Sequence, residues 1–327
     1  MSRRRPDESD VRIRPARSTR PRSKDRPAHE DAVSAKVLTV DRGRTLCRLT
    51  NGTLVTAMKA RELGKNSVVV GDKVSLVGDV SGKDGTLARI VGVQPRKNSL
   101  SRTIDDAGAF EKTIAANIDQ MLIVAAAANP EPRHGFIDRC LAVAYDQGIA
   151  PVIVMTKRDL ADPSNFLQAY DALDVTSFVV QRGDDLKALN DILVGKDSVL
   201  IGHSGVGKST LVNALTGAAK RATGVVNDAT GRGRHTSSSA VALDVPDEVG
   251  TIIDTPGVRS FGLEHIDRSR IVSSFAELAP AISTCPKNCS HDEEKCGLND
   301  YVSAHPEALQ RVAGLRRMLN TMSQPIT

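Results

Sequence analysis

Gly202-His203-Ser204-Gly205-Val206-Gly207-Lys208-Ser209 decides the fold. The apolar run Ser198-Val199-Leu200-Ile201 leads into it, and a helical stretch from Ser209 to Leu215 leads out. A strand, a glycine-rich turn and a helix opening on Lys-Ser make a phosphate-binding loop. The glycines let successive backbone N–H groups converge on phosphate oxygens. Gly202, His203, Ser204, Gly205, Val206, Gly207 and Thr210 are therefore expected around the phosphates of a bound nucleotide. Lys208 is expected to reach the outer phosphates as a catalytic charge, and Ser209 to ligate Mg²⁺.

Downstream, Val249-Gly250-Thr251-Ile252-Ile253 delivers Asp254-Thr255-Pro256-Gly257. Asp254 is placed to serve the Mg²⁺ shell, and Gly257 to offer a backbone N–H to the γ-phosphate. Upstream, Val152-Ile153-Val154-Met155 delivers Thr156-Lys157-Arg158-Asp159. Asp159 can accept hydrogen bonds from guanine N1–H and the 2-amino group, a pair that adenine does not supply. Lys157 can lay its stem along the base. Thr156 stands where such motifs usually carry Asn, keeping a hydroxyl but not the amide. In an ordinary small GTPase the base-reading motif comes last, whereas here it precedes the phosphate loop. The parts are those of a P-loop GTPase in circularly permuted order.

Between the phosphate loop and Asp254 lies the Gly-rich, polar stretch Thr230-Gly231-Arg232-Gly233-Arg234-His235-Thr236-Ser237-Ser238. Thr236 is expected to close over Mg²⁺ and the γ-phosphate. Val258 occupies the position at which Ras-type GTPases carry a water-orienting Gln. Slow intrinsic turnover, raised by a partner, is the expectation. His235, Arg232 and Arg234 either supply the missing catalytic function or contact partner RNA.

The remaining composition bounds the class. The 327 residues are 40% apolar but only 3% aromatic, without Trp, so the cores must be aliphatic. No apolar run approaches the ~18–20 residues of a membrane span, and no signal peptide follows Arg3-Arg4-Arg5. A cytoplasmic protein with reduced cysteines is expected. The net charge of +5 resides in residues 1–30, which hold ten Lys/Arg against five Asp/Glu. That basic tail has too few apolar residues to offset its ordering entropy and is expected to be disordered.

Residues from Ala32 to about Ser101 alternate in short apolar runs. Ala35–Val40, Thr45–Leu49, Thr53–Ala57, Val74–Val77 and Leu87–Val91 predict five strands, with an Asn51-Gly52 hairpin turn between the second and third. Five short strands suit an OB-fold barrel. From Lys112 to Gly262 buried-type strands such as Met121–Ala125 alternate with helices such as Phe136–Gln147, which implies a covered, mainly parallel sheet. The last sixty residues read as helical. Within them Cys285, Cys289, His291 and Cys296 fall close together, a spacing suited to a closed, structural Cys₃His zinc site. Cys47 and Cys140 sit in apolar contexts and are expected in the core.

The permuted order, the G-x-S-G-V-G-K-S loop, Asp254-Thr255-Pro256-Gly257-Val258-Arg259 and the following cysteine-histidine cluster resemble the small ribosomal subunit-dependent GTPases of the RsgA (YjeQ) family. The resemblance covers about residues 32–325. It implies an N-terminal OB-fold, a permuted GTPase domain and a C-terminal zinc domain, here 32–102, 103–267 and 268–327 after a tail of 1–31. It also implies GTP hydrolysis to GDP and phosphate, one Zn²⁺ per chain, Mg²⁺ with GTP, and the small ribosomal subunit and its rRNA as partners of a monomer. Two departures stand out. The first cysteine gap is three residues where the family usually has four, and Gln181-Arg182-Gly183-Asp184-Asp185-Leu186 replaces the usual Ser-Ala of the loop behind the base.

Because Asp254–Arg259 runs directly into the C-terminal segment, loss of the γ-phosphate is expected to reorient that segment. Residues 32–100 contain no Phe, Tyr or Trp, so the barrel lacks stacking platforms for single-stranded bases. Folded RNA read by shape and charge is the expected target. Arg96, Lys97, Arg102, Arg311, Arg316 and Arg317 are either its contacts or ordinary solvated charge.

Overall fold

Period-two patterning closes the first strands into a barrel. The computed structural model describes residues 29–41, 43–64, 67–103, 111–217, 240–246, 250–255 and 266–322. Strands β1 (Val33–Asp41), β2 (Arg44–Leu49), β3 (Leu54–Lys59), β4 (Lys73–Gly78) and β5 (Ala88–Val93) pair in the order β1-β2-β3-β5-β4, and a β1–β4 pairing closes the ring. This is the expected OB-fold barrel. Alternate residues Val37, Cys47, Val55, Ala57, Val74, Leu76 and Ile90 point inward and are fully buried. The β2–β3 turn forms as its Asn-Gly pair dictates: Gly52 takes φ +85°, and Thr53 N donates to Asn51 Oδ1 at 3.0 Å.

An antiparallel hairpin of β6 (Ser99–Thr103) and β7 (Glu111–Ala116), not foreseen from the sequence, follows the barrel. It is held to the barrel at Gly71. There the backbone passes so close that a Cβ would lie 2.1 Å from Ala116 O, at a φ of +87° that favours glycine.

The second sheet region is made of β8 (Gln120–Ala126), β9 (Ala150–Thr156), β10 (Thr176–Val179), β11 (Lys196–Ile201), β12 (Val241–Asp244) and β13 (Gly250–Asp254), in the order β10-β9-β8-β11-β13-β12. All of its pairings are parallel except that of β12 with β13. Every residue of β8 is buried. Met121, Ile123 and Ala125 feed one core, while Leu122, Val124 and Ala126 feed the other. Continuous apolar strands covered on both faces are what a parallel sheet requires. Helices α1 (His134–Gln147), α2 (Ser164–Asp171), α3 (Lys187–Leu193) and α4 (Lys208–Thr216) lie between the strands in sequence. Helix α1 stops at Gly148, whose left-handed φ of +62° caps it as the sequence foretold.

Barrel and parallel sheet are continuous. β1 pairs antiparallel with β12 at Thr39 and Val241. Lys36 binds Asp197, and Arg48 binds Asp244 across the same seam.

The C-terminal segment forms α5 (Arg268–Ser273), α6 (Ala279–Ile282), α7 (Gly297–Ala304) and α8 (Leu309–Thr321). Val312, Leu315, Met318 and Leu319 of α8 join the same core as Ile137 and Leu141 of α1. Gly314 lets α8 approach so closely that a Cβ would stand 2.5 Å from Leu173 Cδ2. The described residues from Ala32 onward accordingly belong to one compact unit. No helix among the described residues is long and apolar enough to cross a membrane.

This docking gives the arginines of α8 internal partners. Arg311 Nη1 donates to Ala172 O and pairs with Asp174, both at 2.9 Å, and its Nε reaches Glu277 at 2.6 Å. Arg317 donates to Ala169 O at 3.0 Å and to the buried Asp138 at 3.2 Å. Arg316 donates to His291 O and Asn299 Oδ1, each at 2.7 Å. Arg96 grips the fully buried Asp72 with two nitrogens, at 2.7 and 2.9 Å. All four make internal contacts. Lys97 is the exposed one, paired with Asp119.

Candidate nucleotide site and metal cluster

The carboxyl ends of β8, β9, β10, β11 and β13 meet along one edge, the edge at which open α/β sheets bind ligands. The phosphate loop leaves β11 there. Gly205 and Gly207 take φ values of +82° and +87°, so the turn depends on glycine at both. Gly202 packs where a Cβ would meet Val124 O at 2.5 Å. Val206 is buried and anchors the loop in the core. Ser204, Ser209 and Thr210 are exposed around the opening of α4, the kind of helix end whose first N–H groups lack intrahelical partners and suit an anion. Lys208 Nζ donates to Gly202 O at 3.3 Å, folded back over the loop. Burial holds its ammonium below the ordinary lysine range, and the nearby Asp254 carboxylate partly opposes this.

Asp254 ends β13, and Thr255 next to it is buried with its hydroxyl donating to Leu200 O at 2.8 Å. That bond ties the acidic strand end to β11. On the other side Thr156 ends β9. Its hydroxyl lies 2.5 Å from Val206 O and 3.2 Å from Ala125 O, joining the base-reading motif to the phosphate loop. Lys157 follows with a left-handed φ of +57°, and its ammonium binds Asn129 O. Arg158 and Asp159 lie exposed in the turn closed by Leu160 N donating to Lys157 O at 2.9 Å.

The structure thus brings together Thr156, Lys157, Asp159, the whole of Gly202–Thr210 and Asp254. Gly257, Thr236, His235, Arg232, Arg234 and Val258 lie outside the described residues, as does the basic tail up to position 28.

One lining segment escaped the sequence reading. Residues 127–134 leave β8 at the same edge. Asn129 accepts from Lys157, and Pro130 Cδ lies 3.8 Å from the position of a Cβ on Gly205. Just beyond, the Phe136 ring packs 4.2 Å from that of His203. The available signal was positional: Asn129-Pro130 directly follows a buried parallel strand, where ligand loops sit.

The second site is the cysteine-histidine cluster. One donor atom from each of Cys285, Cys289, His291 and Cys296 lies within 4.8 Å of the others. Cys285 Sγ stands 3.7 Å from Cys296 Sγ and 3.6 Å from His291 Nδ1, and Cys296 Sγ stands 4.0 Å from that nitrogen. A tetrahedron of thiolates around Zn²⁺ at ~2.3 Å has edges of roughly 3.8 Å, so the donor spacing fits such an ion. His291 N donates to Cys289 Sγ at 3.4 Å, and Arg316 holds His291 O from α8. The short first gap is absorbed by a tight turn. Asn288 adopts φ +62°, and Cys289 N returns to Pro286 O at 3.2 Å. Cys47 and Cys140 are fully buried, as expected of core residues, and burial pushes the Cys47 thiol up to about 12.

A parallel sheet with its base-reading strand ahead of its phosphate-loop strand, behind a five-stranded barrel and before a Cys₃His cluster, is a circularly permuted GTPase fold. The solved YjeQ of Thermotoga maritima superposes with a TM-score of 0.64 at 23% identity, over 89% of this chain and 99% of that one. YloQ, described as a circularly permuted GTPase, superposes with a TM-score of 0.62 at 20% identity, over 93% of this chain and 100% of that one. The RsgA GTPase family model matches residues 93–264. The small ribosomal subunit biogenesis GTPase RsgA of Gemmatimonas aurantiaca is 35% identical over 254 residues, 76% of this chain and 82% of that protein. Its namesake from Pseudomonas aeruginosa is 36% identical over 248 residues, 72% of this chain and 71% of that protein. The chain belongs to the RsgA GTPase family, and its activity is the hydrolysis of GTP.

Proposed function

We propose that this protein is a GTPase of small ribosomal subunit maturation, acting in the cytoplasm as a monomer that binds the subunit and its rRNA. The observation that carries the nucleotide reading is the Thr156–Val206 contact, which joins a guanine-type motif to a phosphate loop. The relatives' shared name supplies the client. In this reading Asp159 accepts the N1–H and 2-amino hydrogens of guanine. Backbone N–H groups of Ser204–Ser209 receive the phosphates, and Lys208 carries its charge to the outer ones. Ser209 and Asp254 hold Mg²⁺, with Thr236 closing from the segment 230–238. When bound, Mg²⁺ neutralises charge developing between the β- and γ-phosphates.

The four donors at Cys285, Cys289, His291 and Cys296 suit Zn²⁺ in a closed, structural role. The division at 32–102, 103–267 and 268–327 is retained as the functional one, with barrel and zinc segment gripping the subunit. Val258 in place of a glutamine supports slow turnover until the subunit is bound.

The test is GTP and ATP hydrolysis with and without purified small ribosomal subunits. GTP-selective turnover that rises strongly on adding small subunits, and not large ones, is the expected result. Unstimulated turnover with intact GTP binding would assign the enzyme to another client.

A further inference from the structure

The loop behind the base departs from its family's usual Ser-Ala, and the structure shows what this chain has built there. β9 and β10 run parallel, with Met155 opposite Val179, and Val180 N donates to Met155 O at 2.8 Å. The two loops that leave these strands are therefore neighbours at one edge: the turn of Lys157–Leu160, and Gln181–Leu186. Gly183, at φ +91°, lets the second loop turn sharply, and Asp184 N returns to Gln181 O at 3.3 Å. The Asp184 carboxylate then does two things. Its Oδ2 accepts from Gln181 N at 3.0 Å, fixing its own loop. Its Oδ1 accepts from Arg158 Nη2 at 2.9 Å, fixing that loop to the turn that carries Asp159. Asp184 is the more enclosed partner, with 17% of its side chain exposed against 48% for Arg158. The Arg158 and Gln181 hydrogen bonds also hold its carboxyl below the usual range.

Guanine offers donors at N1 and the 2-amino group and an acceptor at O6. A carboxylate on one loop and backbone N–H groups on another can read that pattern only if the two loops keep a set separation.

We propose that Asp184, acting through Arg158, is a positioning residue for guanine recognition, clamping the loop behind the base to the base-reading turn. This rests on the guanine reading given above. The clamp orders the two loops that discriminate the base and leaves the phosphate loop untouched. Its loss should therefore appear in base selectivity and not in phosphate affinity.

The experiment is a double-mutant cycle on the full chain, using D184N, R158A and the double variant, with R158K as the conservative control. Asn at 184 keeps an acceptor for Gln181 N–H, so the loop's internal bond can persist. Dissociation constants are measured for GDP, ADP and inorganic tripolyphosphate. Expected is an approximately fivefold weakening of GDP binding in each single variant, the scale of a half-exposed ion pair. No further loss is expected in the double variant, with R158K near wild type and tripolyphosphate unchanged throughout. The proposal is overturned if the single variants keep the wild-type GDP-to-ADP ratio, if their losses add, or if tripolyphosphate binding falls in parallel. A wild-type chain that binds ADP as well as GDP would instead sink the guanine reading itself.

Discussion

The Thr156 hydroxyl sits 2.5 Å from the Val206 carbonyl oxygen, so the residue that opens the base-reading motif also braces the phosphate loop. A neutral hydrogen bond of this kind contributes about 1 kcal/mol. T156V should therefore weaken GTP and GDP binding alike by about fivefold, and T156N should restore much of it by offering an amide donor to the same carbonyl. Calorimetric titration of the three proteins with both nucleotides checks this. A loss confined to GTP would point to a different role.

Lys208 is partly buried and donates to Gly202 O at 3.3 Å. A charged donor on phosphate is worth roughly 1.5–3 kcal/mol. K208A should cost about ten- to a hundredfold in GTP affinity and lower subunit-stimulated turnover, while guanosine binding stays unchanged. Equilibrium binding of GTP against guanosine separates the two contributions.

Cys296 is buried, and its donor lies 3.7 Å from that of Cys285. With Zn²⁺ as the ion of the proposed site, C296S should abolish metal binding, measured by elemental analysis as loss of one equivalent per chain. Because structural zinc contributes folding free energy directly, hydrogen exchange should rise across 285–299 and along α8, which Arg316 ties to His291. Chelation of the wild-type protein should reproduce the same pattern.

Arg96 neutralises Asp72, whose side chain is 0% exposed. Removing one partner of a buried pair costs about 3–5 kcal/mol. R96A should lower unfolding stability by that order in urea titration. K97A, at an exposed pair, should change it by less than about 1 kcal/mol.

Burial lifts Asp138 from the ordinary 3.8 to about 6, against the opposing pull of Arg317. The folded state thus holds this proton more tightly than the unfolded chain. Its cost to stability is absent below about pH 4, grows as pH rises to about 6 and is complete above that. D138N should therefore gain stability relative to wild type across that window, by about 2–3 kcal/mol, and the difference should be flat above it. Denaturant titrations between pH 4 and 7 read the slope. A gap that narrows as pH rises would reverse the assignment.

Much of this molecule was legible from local pattern. Barrel strands announced themselves by period two, buried strands by continuous aliphatic runs, and the α1 terminus by Gly148, because each signal arises from neighbours in the chain. The β6–β7 hairpin went unseen, since residues 99–116 carry weak alternation and its fixing point, Gly71 against Ala116, is long-range. The internal partners of the α8 arginines went unseen for the same reason. Their acceptors, such as Ala169 O, Ala172 O and Asp138, are distant in sequence.

The sequence by itself determined the candidate groups: a phosphate loop with Lys208 and Ser209, a carboxylate at Asp159, an acid at Asp254 and four residues that could hold a metal ion. Residue type and short spacing suffice for these, because each motif is a strand end and its turn. Tertiary structure alone decided what those pieces are attached to. It set Thr156 on Val206, Asn129 beside Lys157, Asp184 on Arg158 and Arg316 on the metal loop. Such contacts depend on which strands lie side by side, and strand order is chosen by burial of the two apolar faces across the whole sheet, a sum that no local stretch of chain contains.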